Sequence, residues 1–145
     1  MIQHSIFSQI LYIKNMKTEE IIQYWIDASN VDFKAMNNLF NSKDYVWSLF
    51  LGHLVIEKLI KALAAKNKIQ SIPKVHGLNK LARLASLELN DDQRDLFDIF
   101  TSFNIEARYP DYKKEFYKKC DFNYTSKYIE EIKGIRNWLL ELLNK

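Results

Sequence analysis

Residues 44–66 read DYVWSLFLGHLVIEKLIKALAAK, and the rest of the chain has to accommodate them. The stretch has no proline, and Gly52 is its one glycine. Apolar residues recur at Trp47, Phe50, Leu51, Leu54, Val55, Leu59, Ala62 and Leu63, the three-to-four spacing of a helix. Its first half is apolar nearly all round, which predicts a helix covered by partners on several sides. One polar stripe interrupts it: His53, Glu57 and Lys61, at i, i+4 and i+8, fall on a single face and span roughly 12 Å. Glu57 four residues before Lys61 is the favourable order for a helical ion pair, worth about 0.3–0.5 kcal/mol when solvated. The stripe reads either as a solvated face or as the wall of a groove, with Lys58 and Lys61 available to an anion.

Working outward, 145 residues suit one domain with a real core. A content of 48% hydrophobic and 14% aromatic residues excludes a disordered chain. Three glycines and two prolines leave little turn chemistry for a β protein, so the expectation is all-α. The net charge of +3 permits phosphate contact without requiring it. The single cysteine, Cys120, excludes an intramolecular disulfide and thiolate-rich metal sites, and fits a reducing cytoplasm. Apolar runs fall short of the ~20 residues of a membrane span, so no membrane partner is expected. Residues 1–15, MIQHSIFSQILYIKN, lack the features of a signal peptide and read as an N-terminal extension, with the domain occupying 16–145.

Before the central stretch, a helix is expected from Thr18 to Phe40, with Thr18 as N-cap, Glu19 and Glu20 on the positive end of the dipole, and Ile22, Trp25, Ile26, Ser29, Phe33, Met36 and Phe40 inward. The polar link at 41–44 predicts an antiparallel return. Residues 67–75 read as a loop around Pro73. A short helix opens at His76 and runs to Leu87, with Leu78, Leu81, Leu84 and Ala85 inward. Asn90 and Gln93 form a capping-box pair for a helix carrying Leu96, Phe100 and Phe103 and ending near Asn104, ahead of Pro110. Residues 111–123 are aromatic and basic, and a last helix spans Thr125 to Leu143 with Tyr128, Ile132, Ile135, Leu139 and Leu142 on one side. The expected architecture is five helices, four of them substantial, in an all-α bundle.

The chain has no glycine-rich phosphate loop, no His-Glu-x-x-His, no Cys-x-x-Cys and no nucleophile elbow, so no cofactor or metal is called for. His4, His53 and His76 are too scattered to propose a metal site. Three short motifs stand out in order: Glu57-Lys58-Leu59-Ile60-Lys61-Ala62, His76-Gly77-Leu78, and Ala107-Arg108-Tyr109-Pro110-Asp111. With Trp25 and Ala28 in the first helix and an Ile/Trp/Leu-rich last one, the set resembles the HEPN domain family of small bacterial and archaeal proteins, over about Thr18 to Leu143.

The resemblance implies an up-and-down bundle of four or five helices, usually a homodimer, associated with nucleotides or nucleic acid. Many such proteins act with a minimal nucleotidyltransferase partner, some as toxin–antitoxin pairs. Ribonuclease members carry an Arg followed after four to six residues by His. Here Arg83, Arg94, Arg108 and Arg136 lack that histidine, and Lys113, Lys114 and Glu115 follow Arg108, so the expectation leans away from an enzyme. The candidate nucleotide or phosphate ligands are Arg108, Tyr109, Lys61, His76, Glu57 and Lys58. Arg108 would hold a phosphate with its planar fork and Tyr109 would stack on a base; equally, an Arg at a helix end pairs with a carboxylate or last-turn carbonyls. His76 is either a ligand at a helix start or a cap. Glu57 orients Lys61 or Arg108. Two other readings stand beside the nucleotide-associated regulatory module: a nuclease built on Arg108, His76 and Glu57, and a structural dimerisation domain.

Overall fold

The computed structural model describes residues 17–145 apart from Gln70, Pro73, Lys74 and His76. The N-terminal extension and the expected role of His76 therefore lie outside the described residues. Six helices form among those described: α1 (Thr18–Asn41), α2 (Tyr45–Lys66), α3 (Leu78–Leu84), α4 (Asp91–Arg108), α5 (Pro110–Lys119) and α6 (Phe122–Leu143). The protein is an all-α bundle, and no described helix is long and apolar enough to cross a membrane.

The central stretch is α2, and it packs against each of the other five helices. Leu49, Val55, Ile56, Leu59, Ile60 and Ala62 are fully buried along it. α1 returns antiparallel to it, as the short link requires: Trp25 meets Lys61, Asp32 meets Lys58, and Met36 meets Gly52, one number falling as the other rises. α6 runs parallel to α2, with Ile132 against Gly52 and the Leu142 and Leu143 carbonyls accepting from Lys66 Nζ at 3.0 Å. At Gly52 the approach is so close that an added Cβ would stand 2.3 Å from Ile132 Cδ1 and 3.3 Å from Met36 Sδ. Arg136 ties α6 to α1, its guanidinium 3.8 Å above the Phe33 ring and Nη2 3.1 Å from Asn30 Oδ1. On the other side, Phe97, Phe100 and Phe103 line α4, and Phe103 stacks on Phe116, which anchors α5.

Several boundaries differ from the sequence expectation. Lys17, with no side-chain bond, is the N-cap of α1, so Thr18 is its first helical residue. The Asn90/Gln93 capping box is present in full, but α4 continues one turn past Asn104, to Arg108. Pro110 does not end helical structure. Tyr109 takes the extended geometry that a following proline demands, and Pro110 then occupies the first turn of α5, where its missing N–H costs nothing. The aromatic and basic stretch is thus a helix, which raises the count to six. Asp121 caps α6 by accepting from Tyr124 N–H, so α6 begins at Phe122 rather than Thr125. Trp47, one of the periodic apolar positions of the central helix, is 40% exposed.

Three helices stop without glycine. After α1, α2 and α3, Lys43, Lys68 and Ser86 adopt φ of 67°, 60° and 60°. In each case the next residue donates back to the carbonyl five before it: Asp44 to Leu39 (2.8 Å), Ile69 to Ala64 (2.9 Å) and Leu87 to Ala82 (2.9 Å). This is the Schellman closure, with a side chain where glycine is usual. Ser86→Gly removes the Cβ penalty of the left-handed region and is expected to raise stability by about 0.5–1 kcal/mol in urea titration. Gly52→Ala overpacks the α2–α6 contact and is expected to lower stability by about 1–2 kcal/mol, after a helix-propensity gain of about 1 kcal/mol. Adding Ile132→Val, which deletes the Cδ1 methyl, should restore most of the loss in the same titration.

Candidate functional site

The sequence stripe on α2 divides in the structure. Lys58 and Lys61 lie three residues apart on α2, about 60° apart around its axis, and both reach α1, at different points along it. Lys58 turns toward α1, where Nζ lies 2.5 Å from Asp32 Oδ2; the lysine is 25% exposed and the aspartate 13%. A lysine held by a shielded carboxylate is not free for an incoming anion, so Lys58 serves the α1–α2 contact. Removing either partner would strand a partly buried charge. Lys61 stays at the surface, Nζ 5.0 Å above the Trp25 ring and 3.9 Å from Glu57 Oε2. Glu57 and Lys61 thus form the i, i+4 ion pair of the helix surface.

Arg108 closes α4 at the C-terminal end of the helix dipole, where a cation is favoured. Its Nε donates to the Asn104 carbonyl at 3.1 Å, and its Cζ lies 5.6 Å from the Tyr109 ring centre. Among the described residues it forms no ion pair, so the outer edge of the fork remains available. Tyr109 is 51% exposed and offers an aromatic face beside it.

His53 connects these groups. Only 1% exposed, it is not part of a solvated face, and neither ring nitrogen has a hydrogen-bond partner. Burial drives its pKa down to about 4, with the positive charges of Arg108 and then Lys61 adding to the effect. Two cations from different helices therefore bear on one neutral imidazole. The arrangement gathers positive charge over a buried, uncharged floor, with one carboxylate, Glu57, at its edge. The His53 ring is sealed from solvent and sits beneath the surface that the two cations occupy.

Sequence reasoning singled out Arg108, Tyr109, Lys61 and Glu57 and underrated His53, whose place in the helical stripe disguised its burial. On the wheel His53 sits at the border between buried positions 49, 56 and 60 and the partly exposed positions 50, 57 and 61, so spacing alone left its burial open. Cys120 is buried and its thiol is pushed up to about 12, by burial first and then by Glu106, so it behaves as a small apolar residue. No group of carboxylates, histidines and thiols able to hold a metal forms among the described residues.

The linkage sign for His53 is fixed by its depressed pKa. Above the unfolded-state value of about 6.5 the ring is neutral in both states; as pH falls toward the folded value, the unfolded chain takes up the proton first and stability is lost. Wild type should therefore lose about 2 kcal/mol more than His53→Leu between pH 7 and pH 5, read from urea titrations at the two pH values; equal losses would show that His53 is not held neutral.

A family model, that of the HEPN domain, matches residues 22–143. Comparisons with curated proteins and with solved structures yield no significant match. The matched span runs from the first turn of α1 to the end of α6 and includes the motifs around Glu57 and Arg108. The chain belongs to the HEPN domain family.

Proposed function

We propose that this HEPN domain is a nucleotide-associated regulatory module, acting as a homodimer with a nucleotidyltransferase partner in the manner of a toxin–antitoxin pair. The observation that carries the reading is the convergence of Arg108 and Lys61 on His53 from two helices, with Arg108 lacking a carboxylate among the described residues. Membership of the family supports a nucleotide or RNA ligand. The partner and the dimer rest on the family's habits and on the apolar character of α2, where Leu51 and Leu54 remain partly exposed.

In this reading a nucleotide phosphate sits between Arg108 and Lys61, and the base lies against Tyr109. Arg108 does most of the holding, because a planar fork matches two oxygens while a lysine presents a point charge. Glu57 positions the Lys61 ammonium and, by its own charge, keeps the site from holding a polyanion too tightly. Lys58 stays with Asp32 and takes no part.

The test is calorimetric titration of mono- and triphosphate nucleotides into wild type, Arg108→Ala and Arg108→Lys, with circular dichroism as the folding control. Both variants should fold, and both should bind about ten- to a hundred-fold more weakly, the cost of a charge-assisted hydrogen bond. Unchanged affinity in a folded Arg108→Ala protein would refute the site.

A further inference from the structure

Seven large hydrophobic side chains are exposed among the described residues: Val31, Trp47, Ile105, Tyr109, Tyr112, Tyr117 and Phe122. All but Val31 lie in the last turn of α4, in or beside α5, or, for Trp47, under a lysine of α5. Charge is concentrated in the same place. Residues 108–119 hold five cations against two carboxylates, a surplus equal to the net charge of +3 on the whole chain. Residues 108–119 thus combine the positive excess with three exposed aromatics, Tyr109, Tyr112 and Tyr117, and only Phe116 on α5 is buried.

The two sides of α5 differ. At 100° per residue, Asp111, Glu115 and Lys119 share one side, which faces Glu106 across a shallow cleft, and Lys118 pairs with Glu115 at 3.8 Å. Phosphate would be repelled there. The other side carries Lys113 and Tyr117 at i and i+4, with Tyr109 at the extended N-cap ahead of them and Lys114 flanking, and has no carboxylate. Lys113 Nζ sits 5.6 Å from the Trp47 ring centre, which brings a second aromatic alongside. Tyr117 is 73% exposed, an unusual degree for a ring that packing could have covered.

We infer that the Tyr109–Lys113–Tyr117 stripe of α5, with Trp47 and Lys114, is a docking surface for single-stranded RNA. Exposed rings take unpaired bases by stacking, and lysines set between them follow the phosphates. A protein partner fits less well, because lysine is depleted at the centre of such interfaces and here alternates with every ring. A duplex hides its base faces, and RNA is the nucleic acid whose loops and ends present them. The surface shares Tyr109 with the Arg108 site, but Lys113, Lys114, Tyr117 and Trp47 lie outside that site, and the stripe does not depend on a mononucleotide binding there.

The experiment is fluorescence anisotropy of a labelled oligouridine of about 12 nucleotides, enough to cross one such surface, with wild type, Tyr117→Ala, Tyr117→Phe and the double variant Lys113→Ala/Lys114→Ala. An RNA duplex of the same length is the comparison. Wild type should bind the single strand more tightly than the duplex, and Tyr117→Ala should weaken it roughly tenfold or more, while Tyr117→Phe, which keeps the ring, binds as wild type. The double lysine variant should reduce the slope of log K against log salt by about 1.4, the loss of two phosphate contacts on a single strand. Mononucleotide titration of Tyr117→Ala should match wild type, so failure of the cleft and failure of the stripe are distinguishable. Absence of binding by wild type at low salt, equal affinity for duplex and single strand, or an unaffected Tyr117→Ala would overturn the assignment and leave the surface to a protein partner.

Discussion

Burial of α2 is the constraint on which the rest of the structure depends. A helix apolar nearly all round cannot rest on one neighbour, so five others are needed to cover it, and their order follows from chain length between them. The short 42–44 link leaves α1 no choice but to return along α2. Gly52 then lets α6 approach closely from the other side, with the Ile132 methyl where a Cβ would be. The polar contacts confirm this geometry more than they create it. Lys58 with Asp32, and Arg136 with Asn30 and Phe33, each join two helices already brought together by apolar faces.

Periodicity and composition made the fold class and the central helix legible, because both are read from which residues avoid water. The capping box at Asn90 was legible for a different reason: its two side chains do specific hydrogen-bonding work that few other residue types can do. Helix ends were less so. Lys43, Lys68 and Ser86 close helices in a conformation for which sequence offers glycine as the sign, and nothing in a lysine announces it. α5 was hidden by Pro110, which reads as a stop when seen from α4 and as a start when seen from α5. Both are true, and the residue between them, Tyr109, is the hinge.

For the site, motif order led to Arg108, Tyr109, Lys61 and Glu57, while geometry separated Lys61 from Lys58. The two lysines are three residues apart, about 60° around the axis, and both meet α1, Lys58 at Asp32 and Lys61 two turns earlier in that helix, over Trp25. The burial of His53 could not be assigned from its own spacing, since a residue four before a glutamate looks the same whether α4 covers it or water does. Tertiary packing decided that, and it also decided that the histidine is neutral.

The break between α4 and α5 accounts for why the positive charge collects where it does. The C-terminal end of α4 carries partial negative charge and favours Arg108, while the first turn of α5 carries partial positive charge and favours an anion. A straight helix through this region would have cancelled both. Pro110 prevents that by forcing Tyr109 into an extended conformation, so one helix end holds the cation and the next begins beside it. Arg108 is therefore fixed by the dipole of its own helix and by the Asn104 carbonyl, not by a carboxylate, and its fork need surrender no ion pair to meet a phosphate. His53 beneath it stays uncharged, so the cations above face no competing positive floor. A proline turn and two helix ends thus leave a guanidinium at the end of α4, unpaired among the described residues and near a buried, neutral imidazole of α2.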